Sequence, residues 1–292
     1  MGVCRRSMAA PGMLLPPNSP HQRAGVQHLL NVISKNKRVS QLVLYEYPIN
    51  ERIRSLMRLE YLFKRLFAFI SGTSPMHQHV ALSLLFEIMD TCDRAEVRSG
   101  ILQDIDRQKA NLENYRHHPN IDLNALDSAI ADLNRVSAAL MGKGRIGQAA
   151  RENEWLMSLK NRFAVPGGTS QIDIPSYHAW QLSAEDNRQR AITQWVEPFM
   201  PLFDGVSVVL KMLRESGSPV DASTQEGGVF QEMLGGKIYQ MVRVWVSGER
   251  LIYPEISANK YVVWVRFSEL DNQYKTQLIT TPTAFKMSFC NV

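Results

Sequence analysis

Cysteine is scarce in this sequence. The 292-residue chain has three cysteines, and they lie far apart, at Cys4, Cys92 and Cys290. Three separated thiols provide neither a framework of paired disulfides nor the four thiolates of a structural zinc site. The sequence therefore excludes a small secreted fold stapled by disulfides, and it favours a protein of the reducing cytoplasm.

Long hydrophobic runs are also missing. The most apolar stretch, residues 62–70, is interrupted by Lys64 and Arg65 and falls short of the ~20 residues that a helix needs to cross a bilayer. Near the amino terminus, Met13, Leu14 and Leu15 form a run that is too short for the core of a signal peptide. We therefore predict no membrane span.

Acidic residues are absent from the first 45 positions, so the charge is unevenly distributed. The whole chain carries +5, and six basic residues precede the first acidic one, Glu46, so the remainder carries a net −1. Residues 1–41 also contain several prolines and little periodicity, which predicts a poorly ordered basic leader. The global charge gives no support for nucleic-acid binding, which would need this leader or a local patch.

The rest of the chain has the composition of a globular protein, with 45% hydrophobic and 21% charged residues. Residues 42–216 show apolar side chains at helical spacing and short connecting loops, which predicts a bundle of antiparallel helices. The predicted helices cover residues 50–70, a segment after the break at 72–75, 96–116, 122–140, 145–163, 184–196 and 198–215.

From Gly227 onward the hydrophobic period changes to two. Valine and phenylalanine alternate with polar and aromatic side chains over residues 239–246, 260–267 and 285–289. This pattern predicts a small, half-exposed antiparallel β-sheet domain within residues 217–292, packed on the helices. The expected fold class is therefore α+β, with a mainly helical amino-terminal bundle followed by the sheet.

Two of these strands place basic and indole side chains on one parity. Arg243 and Trp245 share a face of the first strand, and Trp264 and Arg266 share a face of the second. Because neighbouring strands align side chains of one face, we expect these four to lie side by side. The same pattern also fits side chains that fill an edge face or pack beneath a helix, and the sequence leaves both interpretations open.

Catalytic and metal-binding patterns are weak. His77 and His79 are two residues apart on a predicted helix, so they point in different directions. His178 lies close in sequence to Ser170 and Ser176, but no nucleophile-elbow glycine pattern surrounds these serines. We therefore predict no enzyme activity, no metal and no cofactor, and a hydrolase centred on His178 is the weakest alternative.

Seven short motifs follow one another along the chain. They are Tyr47-Pro48-Ile49-Asn50-Glu51, Asp93-Arg94-x-Glu96-Val97-Arg98, Arg145-Ile146-Gly147-Gln148, Pro166-Gly167-Gly168, Asp173-Ile174-Pro175, His178-x-Trp180 and Tyr253-Pro254-x-Ile256-Ser257. As an ordered set they resemble the ZapD family of bacterial cell-division proteins, which bind and bundle FtsZ filaments. The resemblance runs over about residues 42–290, and no single motif would suffice for it.

This resemblance implies a helical domain plus a sheet domain, a homodimer, and a basic surface that takes the C-terminal tail of FtsZ. Glu154 and Val262 stand where the family pattern has arginine, so the shape of the patch is expected to differ here. Combined with the sheet pattern, the resemblance gives the expected tail-binding residues as Arg243, Lys260, Arg266, Trp245, Trp264, Arg94, Arg98, Arg145 and Arg151.

The sequence thus predicts a non-enzymatic adaptor that acts at the midcell division site in the cytoplasm. It would bind the FtsZ tail, cross-link FtsZ filaments and promote assembly of the Z-ring. The alternative from another class is a nucleic-acid-binding protein that uses the basic leader and the Arg/Trp sheet face.

Overall fold

A computed structural model describes residues 42–92, 96–119, 121–142, 144–248 and 251–291. The predicted leader, residues 1–41, and the predicted site residue Arg94 lie outside these ranges. Residues Leu42–Val292 form one compact unit. None of the helices within the described ranges is long and apolar enough to cross a membrane.

Helices make up most of the first three quarters of this unit, as the period of its apolar residues predicts. They are α1 (Glu51–Ile70), α2 (Pro75–Cys92), α3 (Glu96–Asn114), α4 (Leu123–Leu140), α5 (Gln148–Arg151), α6 (Glu154–Phe163), α7 (Pro175–Gln181), α8 (Glu185–Val196) and α9 (Met200–Glu215). Short 3-10 turns follow α3 at Tyr115–His117 and α8 at Glu197–Phe199.

Several helices begin at a side-chain cap, which explains where they start. The Asn50 side chain accepts a hydrogen bond from the Ile53 amide at 2.9 Å. Asp122 accepts from the amide of Asn124 at 2.9 Å and so caps α4, and Asn153 caps α6 in the same way. Each cap satisfies an amide that has no partner inside the helix.

Eight strands within the described residues form two antiparallel sheets. Sheet A has the order β1-β4-β8-β2, and sheet B has the order β3-β6-β5, with β7 pairing to a later part of β6. The strands are β1 (Leu42–Pro48), β2 (Val220–Ser223), β3 (Val229–Met233), β4 (Met241–Ser247), β5 (Ile252–Ala258), β6 (Val262–Leu270), β7 (Thr276–Ile279) and β8 (Ala284–Cys290).

The two sheets pack face to face through their valine-rich sides. Val242 and Val244 of sheet A belong to the same buried cluster as Val263, Val265 and Phe267 of sheet B. The α+β class is thus confirmed, but the expected single half-exposed sheet is instead a sandwich. Period two places the valines on one face of each strand, but it does not tell which strands pair.

The outer face of sheet A contacts the helical bundle. Met241 and Cys290 are fully buried and belong to the helical core. Strand β1 precedes the helices in sequence, yet it pairs with β4 along its whole length. Consequently, among the described residues, sheet A lies between the helices and sheet B, and the outer face of sheet B carries several exposed side chains.

Candidate binding surfaces

The four basic and indole residues of the predicted sheet site lie in two different sheets. Arg243 and Trp245 are on β4, which pairs with β1 and β8. Trp264 and Arg266 are on β6, which pairs with β3, β5 and β7. Because the valine faces of both sheets point into one core, the two Arg/Trp pairs face in opposite directions. The predicted side-by-side arrangement is therefore wrong.

The outer face of sheet B carries a shallow groove with an indole in it. Trp264 is 36% exposed and lies opposite Gln231 and Ser257 in the register. Val229 and Met233 of the neighbouring strand are also exposed. A cavity of about 450 Å³ lies here, and its walls are Val229, Glu255, Ile256, Ser257, Trp264, Val265 and Arg266.

The groove contains an ion pair between Arg266 and Glu255. The Arg266 Nε donates to a Glu255 carboxylate oxygen at 2.6 Å, and Ser268 Oγ donates to the other oxygen at 2.9 Å. These bonds hold the pKa of Glu255 below its usual range, with the Ser268 bond as the larger cause. Arg266 itself is 57% exposed. The groove therefore presents a guanidinium that is only partly neutralised.

Lys260 adds a second exposed cation in the turn between β5 and β6. Its Nζ lies 4.8 Å from the centre of the Tyr261 ring, which is 59% exposed. Since β6 begins at Val262, this turn stands at one end of the strand that carries Trp264 and Arg266. Three predicted site residues, Lys260, Trp264 and Arg266, thus belong to sheet B and its turn.

Arg243, by contrast, faces the helices. Its side chain is only 17% exposed, and its Nε donates to Glu46 at 3.1 Å. Its Nη1 donates to the backbone oxygen of Arg214 at 3.1 Å, and its guanidinium stacks 4.8 Å above the Trp245 ring. For Arg243 the second interpretation of the sequence pattern, packing beneath a helix, is the one that holds.

A partly buried ion network continues from this arginine into the bundle. Arg214 on α9 donates to Glu46 at 2.8 Å and to Glu60 on α1 at 2.7 Å. Burial opposes ionisation of Glu60, but its bonds to Arg214 and Lys64 outweigh that effect and lower its pKa. The bonds to Glu60 and Glu46 raise the pKa of Arg214, against the opposing effect of burial. These groups join sheet A to the helices, a role that the sequence analysis missed.

Two of the predicted helical arginines, Arg98 and Arg145, line a separate cleft of about 410 Å³ in the helical part. Arg98 donates to the backbone oxygens of Gly142 and Gly144, both at 2.9 Å. Arg145 lines the same cleft and is exposed. Arg151 donates to the Met89 oxygen at 2.9 Å and so ties α5 to α2. The cleft shares no lining residue with the groove of sheet B.

Glu255 is the bonded neighbour of Arg266 that the sequence analysis missed on sheet B. It belongs to the Tyr253-Pro254-x-Ile256-Ser257 motif and stands directly opposite Arg266 in the β5–β6 register. The alternating pattern predicts β6 but not β5, and the pairing register is needed to place the carboxylate beside the guanidinium.

The residues considered for catalysis have other partners. Ser170 donates to Asp173 at 2.9 Å, and Ser176 accepts from the Trp155 indole at 3.0 Å. His79 lies 2.9 Å from the Tyr177 hydroxyl and stacks on Phe163. Among the described residues, no cluster of three or more His, Cys, Asp or Glu side chains is arranged to hold a metal ion.

Comparison with known proteins identifies relatives over most of the chain. Residues 57–266 match the family model described as ZapD, a cell division protein. A cell division protein ZapD of Bordetella pertussis is 48% identical over 254 residues, which are 87% of this chain and 100% of the relative. ZapD proteins of Janthinobacterium sp. and Ralstonia nicotianae are 44% and 43% identical, each over 86% of this chain and all of the relative.

Proposed function

We infer that this chain, which belongs to the ZapD family of cell division proteins, acts in cell division by binding the C-terminal tail of FtsZ. In this proposal it cross-links FtsZ filaments and promotes assembly of the Z-ring at midcell, in the cytoplasm. It acts by binding alone, without an enzymatic step or a cofactor. Its physical task is to capture a flexible acidic segment that also carries apolar side chains.

The observation that supports this most directly is the outer face of sheet B. Trp264 offers an exposed indole between Val229 and Met233, and Arg266 and Lys260 supply positive charge on the same sheet and its turn. Aromatic and apolar side chains anchor a peptide, while the cations select acidic residues and speed the encounter. Glu255 leaves Arg266 partly available, because an exposed ion pair contributes only ~0 to 1 kcal/mol and is readily exchanged.

The helical cleft is the weaker tail contact in this proposal. Arg98 and Arg145 line it, but Arg98 is committed to two backbone oxygens, and Glu152 also lines the cleft. Arg151 and Arg243 act by positioning, because each is bonded to the backbone of another element. Trp245 lies between Leu44 and Lys286 in the register of sheet A. In this proposal it makes a secondary apolar contact with the tail.

Cross-linking needs two tail sites in one particle. A two-fold dimer supplies them, since each protomer repeats the same surface. Linking two weak contacts in this way raises the overall affinity by ~10² or more when both filaments are within reach. We therefore include a homodimer in the proposed mechanism.

The nucleic-acid alternative loses support from the sheet arrangement. Binding to single strands uses successive aromatic side chains along one basic groove. Here Trp245 and Trp264 are in different sheets and face opposite ways, so they cannot form one stacking platform. Only the basic leader, which lies outside the described residues, remains for that alternative.

Substitution of Arg266 with glutamate tests the proposed tail site. The new carboxylate would stand beside Glu255 and repel an acidic peptide, so the affinity for a labelled FtsZ C-terminal peptide is expected to fall by roughly 10- to 100-fold. Fluorescence anisotropy measures the affinity, and circular dichroism checks the fold.

Arg135→Glu is the matched control, because Arg135 is an exposed arginine on α4, 68% accessible and paired with Asp132. It changes the net charge equally, so its binding should stay within about twofold of the parent. If Arg266→Glu is folded and binds as tightly as the parent, sheet B is not the tail site.

A further inference from the structure

The exposed face of α1 carries a stripe of arginines interrupted by one tyrosine. Its members are Arg54, Arg58, Tyr61 and Arg65, spaced by four, three and four residues, so they lie on one side of the helix. We call this set the α1 stripe. The opposite side of α1 is the buried one and includes Ile53, Leu56 and Phe63. The stripe shares no residue with sheet B or with the helical cleft.

An apolar recess lies beside these cations. A cavity of about 240 Å³ is lined by Pro48, Arg54, Met57, Arg58 and Tyr61. Tyr61 is 58% exposed, although a tyrosine ring of this size is usually more covered. Arg65 donates to the Tyr61 hydroxyl at 2.7 Å and lies 5.3 Å from its ring centre, so it fixes the ring at the surface.

The stripe carries more positive than negative charge. Glu51 is bonded to Arg54 at 3.1 Å and approaches Arg58 at 3.7 Å, but it is 68% exposed, so these pairs are screened. Glu60 faces inward and is bonded to Arg214 and Lys64. Among the described contacts of the stripe, one exposed carboxylate therefore stands against three guanidiniums.

We propose that the α1 stripe is a second site for an acidic peptide, so that a single chain holds two acidic segments at once. Guanidiniums bind carboxylates through paired hydrogen bonds, and Arg58 and Arg65 are placed to receive them on either side of Tyr61. An apolar side chain of the same peptide fits the recess between Pro48, Met57 and Tyr61. The occupant is thus an extended acidic segment with at least one apolar residue.

The proposal rests on the proposed function in one respect, since the FtsZ tail is the acidic peptide that would occupy both sites. Its consequence is new: one protomer becomes bivalent, with one site on α1 and one on sheet B. Bridging of two filaments then does not depend on a dimer, and a dimer would carry four sites.

Peptide stoichiometry tests this proposal. A synthetic FtsZ C-terminal peptide is titrated calorimetrically into the full chain, the double variant Arg58→Glu/Arg65→Glu, Arg266→Glu and the triple variant. We expect two peptides per chain for the parent, one for each of the first two variants and none for the triple variant. Tyr61→Ala, which changes no charge, should weaken α1 binding by roughly 10-fold, because it removes the apolar wall.

The outcomes separate this inference from the proposed function. One peptide per parent chain, lost in Arg266→Glu and retained in Arg58→Glu/Arg65→Glu, overturns the α1 site and leaves the proposed function in place. One peptide per chain, lost only in the α1 variants, overturns both the second site and the assignment of the tail to sheet B. Absence of any peptide binding to the folded parent overturns both proposals. Arg135→Glu again serves as the charge-matched control.

Discussion

At the scale of single residues, Arg243 and Arg266 show how one side-chain type serves two purposes. Both side chains point away from the core between the two sheets. Arg243 is 17% exposed and is bonded to Glu46, whereas Arg266 is 57% exposed and is bonded to Glu255. Removing one partner of a largely buried ion pair is costly because a charge is left in a poorly hydrated site, while an exposed pair contributes little. Arg243 therefore stabilises the fold, whereas Arg266 is a surface residue that contributes little to stability.

The substitution Arg243→Glu is expected to destabilise the protein. It would place a carboxylate against Glu46 beneath α9, and Arg214 would have to compensate both. We expect the free energy of unfolding to fall by about 2 kcal/mol, less than for a fully buried pair because Glu46 keeps Arg214. Urea unfolding measures this. Arg266→Glu should change stability by less than ~0.5 kcal/mol, and equal losses in the two variants would refute the distinction.

At the scale of elements, the short helix α7 depends on its neighbours. It has seven residues, too few to be stable in isolation. Tyr177 is fully buried, contacts His79 on α2 and stacks on Trp180 with ring centres 5.7 Å apart. Trp155 on α6 donates to Ser176. Aromatic packing against α2 and α6 therefore holds α7 in place.

This docking is expected to weaken in mild acid. Burial lowers the pKa of His79 below its ordinary value of 6.5, so the folded state favours the neutral ring. The stabilisation that neutral His79 contributes is complete above pH 6.5 and is lost as the pH falls below 6.5. The reason is that the histidine of the unfolded chain then binds a proton more readily than His79 of the folded protein. Melting temperatures at about pH 7.5 and about pH 5.5 bracket the change.

His79→Gln removes the titration while keeping a polar group near Tyr177, so its melting temperature should depend less on pH than that of the parent. His117→Gln, at an exposed position after α3, is the matched control and should retain the dependence of the parent. If both variants behave alike, His79 is not the responsible group.

At the scale of the whole molecule, sheet A links the helices to sheet B, and within the described residues β1 and β2 are its two edge strands. Among the described strands, β1 pairs only with β4. Leu42, Val43 and Leu44 on this edge strand are 47%, 40% and 38% exposed. An edge strand with apolar side chains and unpaired backbone groups readily pairs with another strand. This edge is a suitable surface for the proposed dimer.

Light scattering at micromolar concentration should therefore report twice the monomer mass of 33.2 kDa. Leu44→Lys places a charge on the edge and should shift the particle towards the monomer, while binding of the tail peptide is retained. A parent protein that scatters as 33.2 kDa and still bundles filaments would contradict the dimer. The two sites on one chain would then be the remaining route to bridging.

Much of this fold follows from the sequence alone. The period of apolar residues determines the long helices α1, α3, α4 and α9, and alternation determines β4, β6 and β8, because burial of one face imposes these repeats. The family relationship, read from the ordered motifs, is confirmed by the relatives. Strands β1, β2, β3, β5 and β7 were not predicted, because short or edge strands are only partly buried and their pattern is weak.

Only the tertiary structure determines which side chains lie together on one surface. A repeat of two tells which side of a strand each residue occupies, but strand pairing tells which strand lies beside it. Pairing of β4 with β1 and β8 directs Arg243 to Glu46 and α9, and pairing of β6 with β5 directs Arg266 to Glu255. The same two residue types could therefore be read as one site in the sequence and lie on opposite faces in the fold, because contacts between distant segments, not local pattern, determine what each side chain meets.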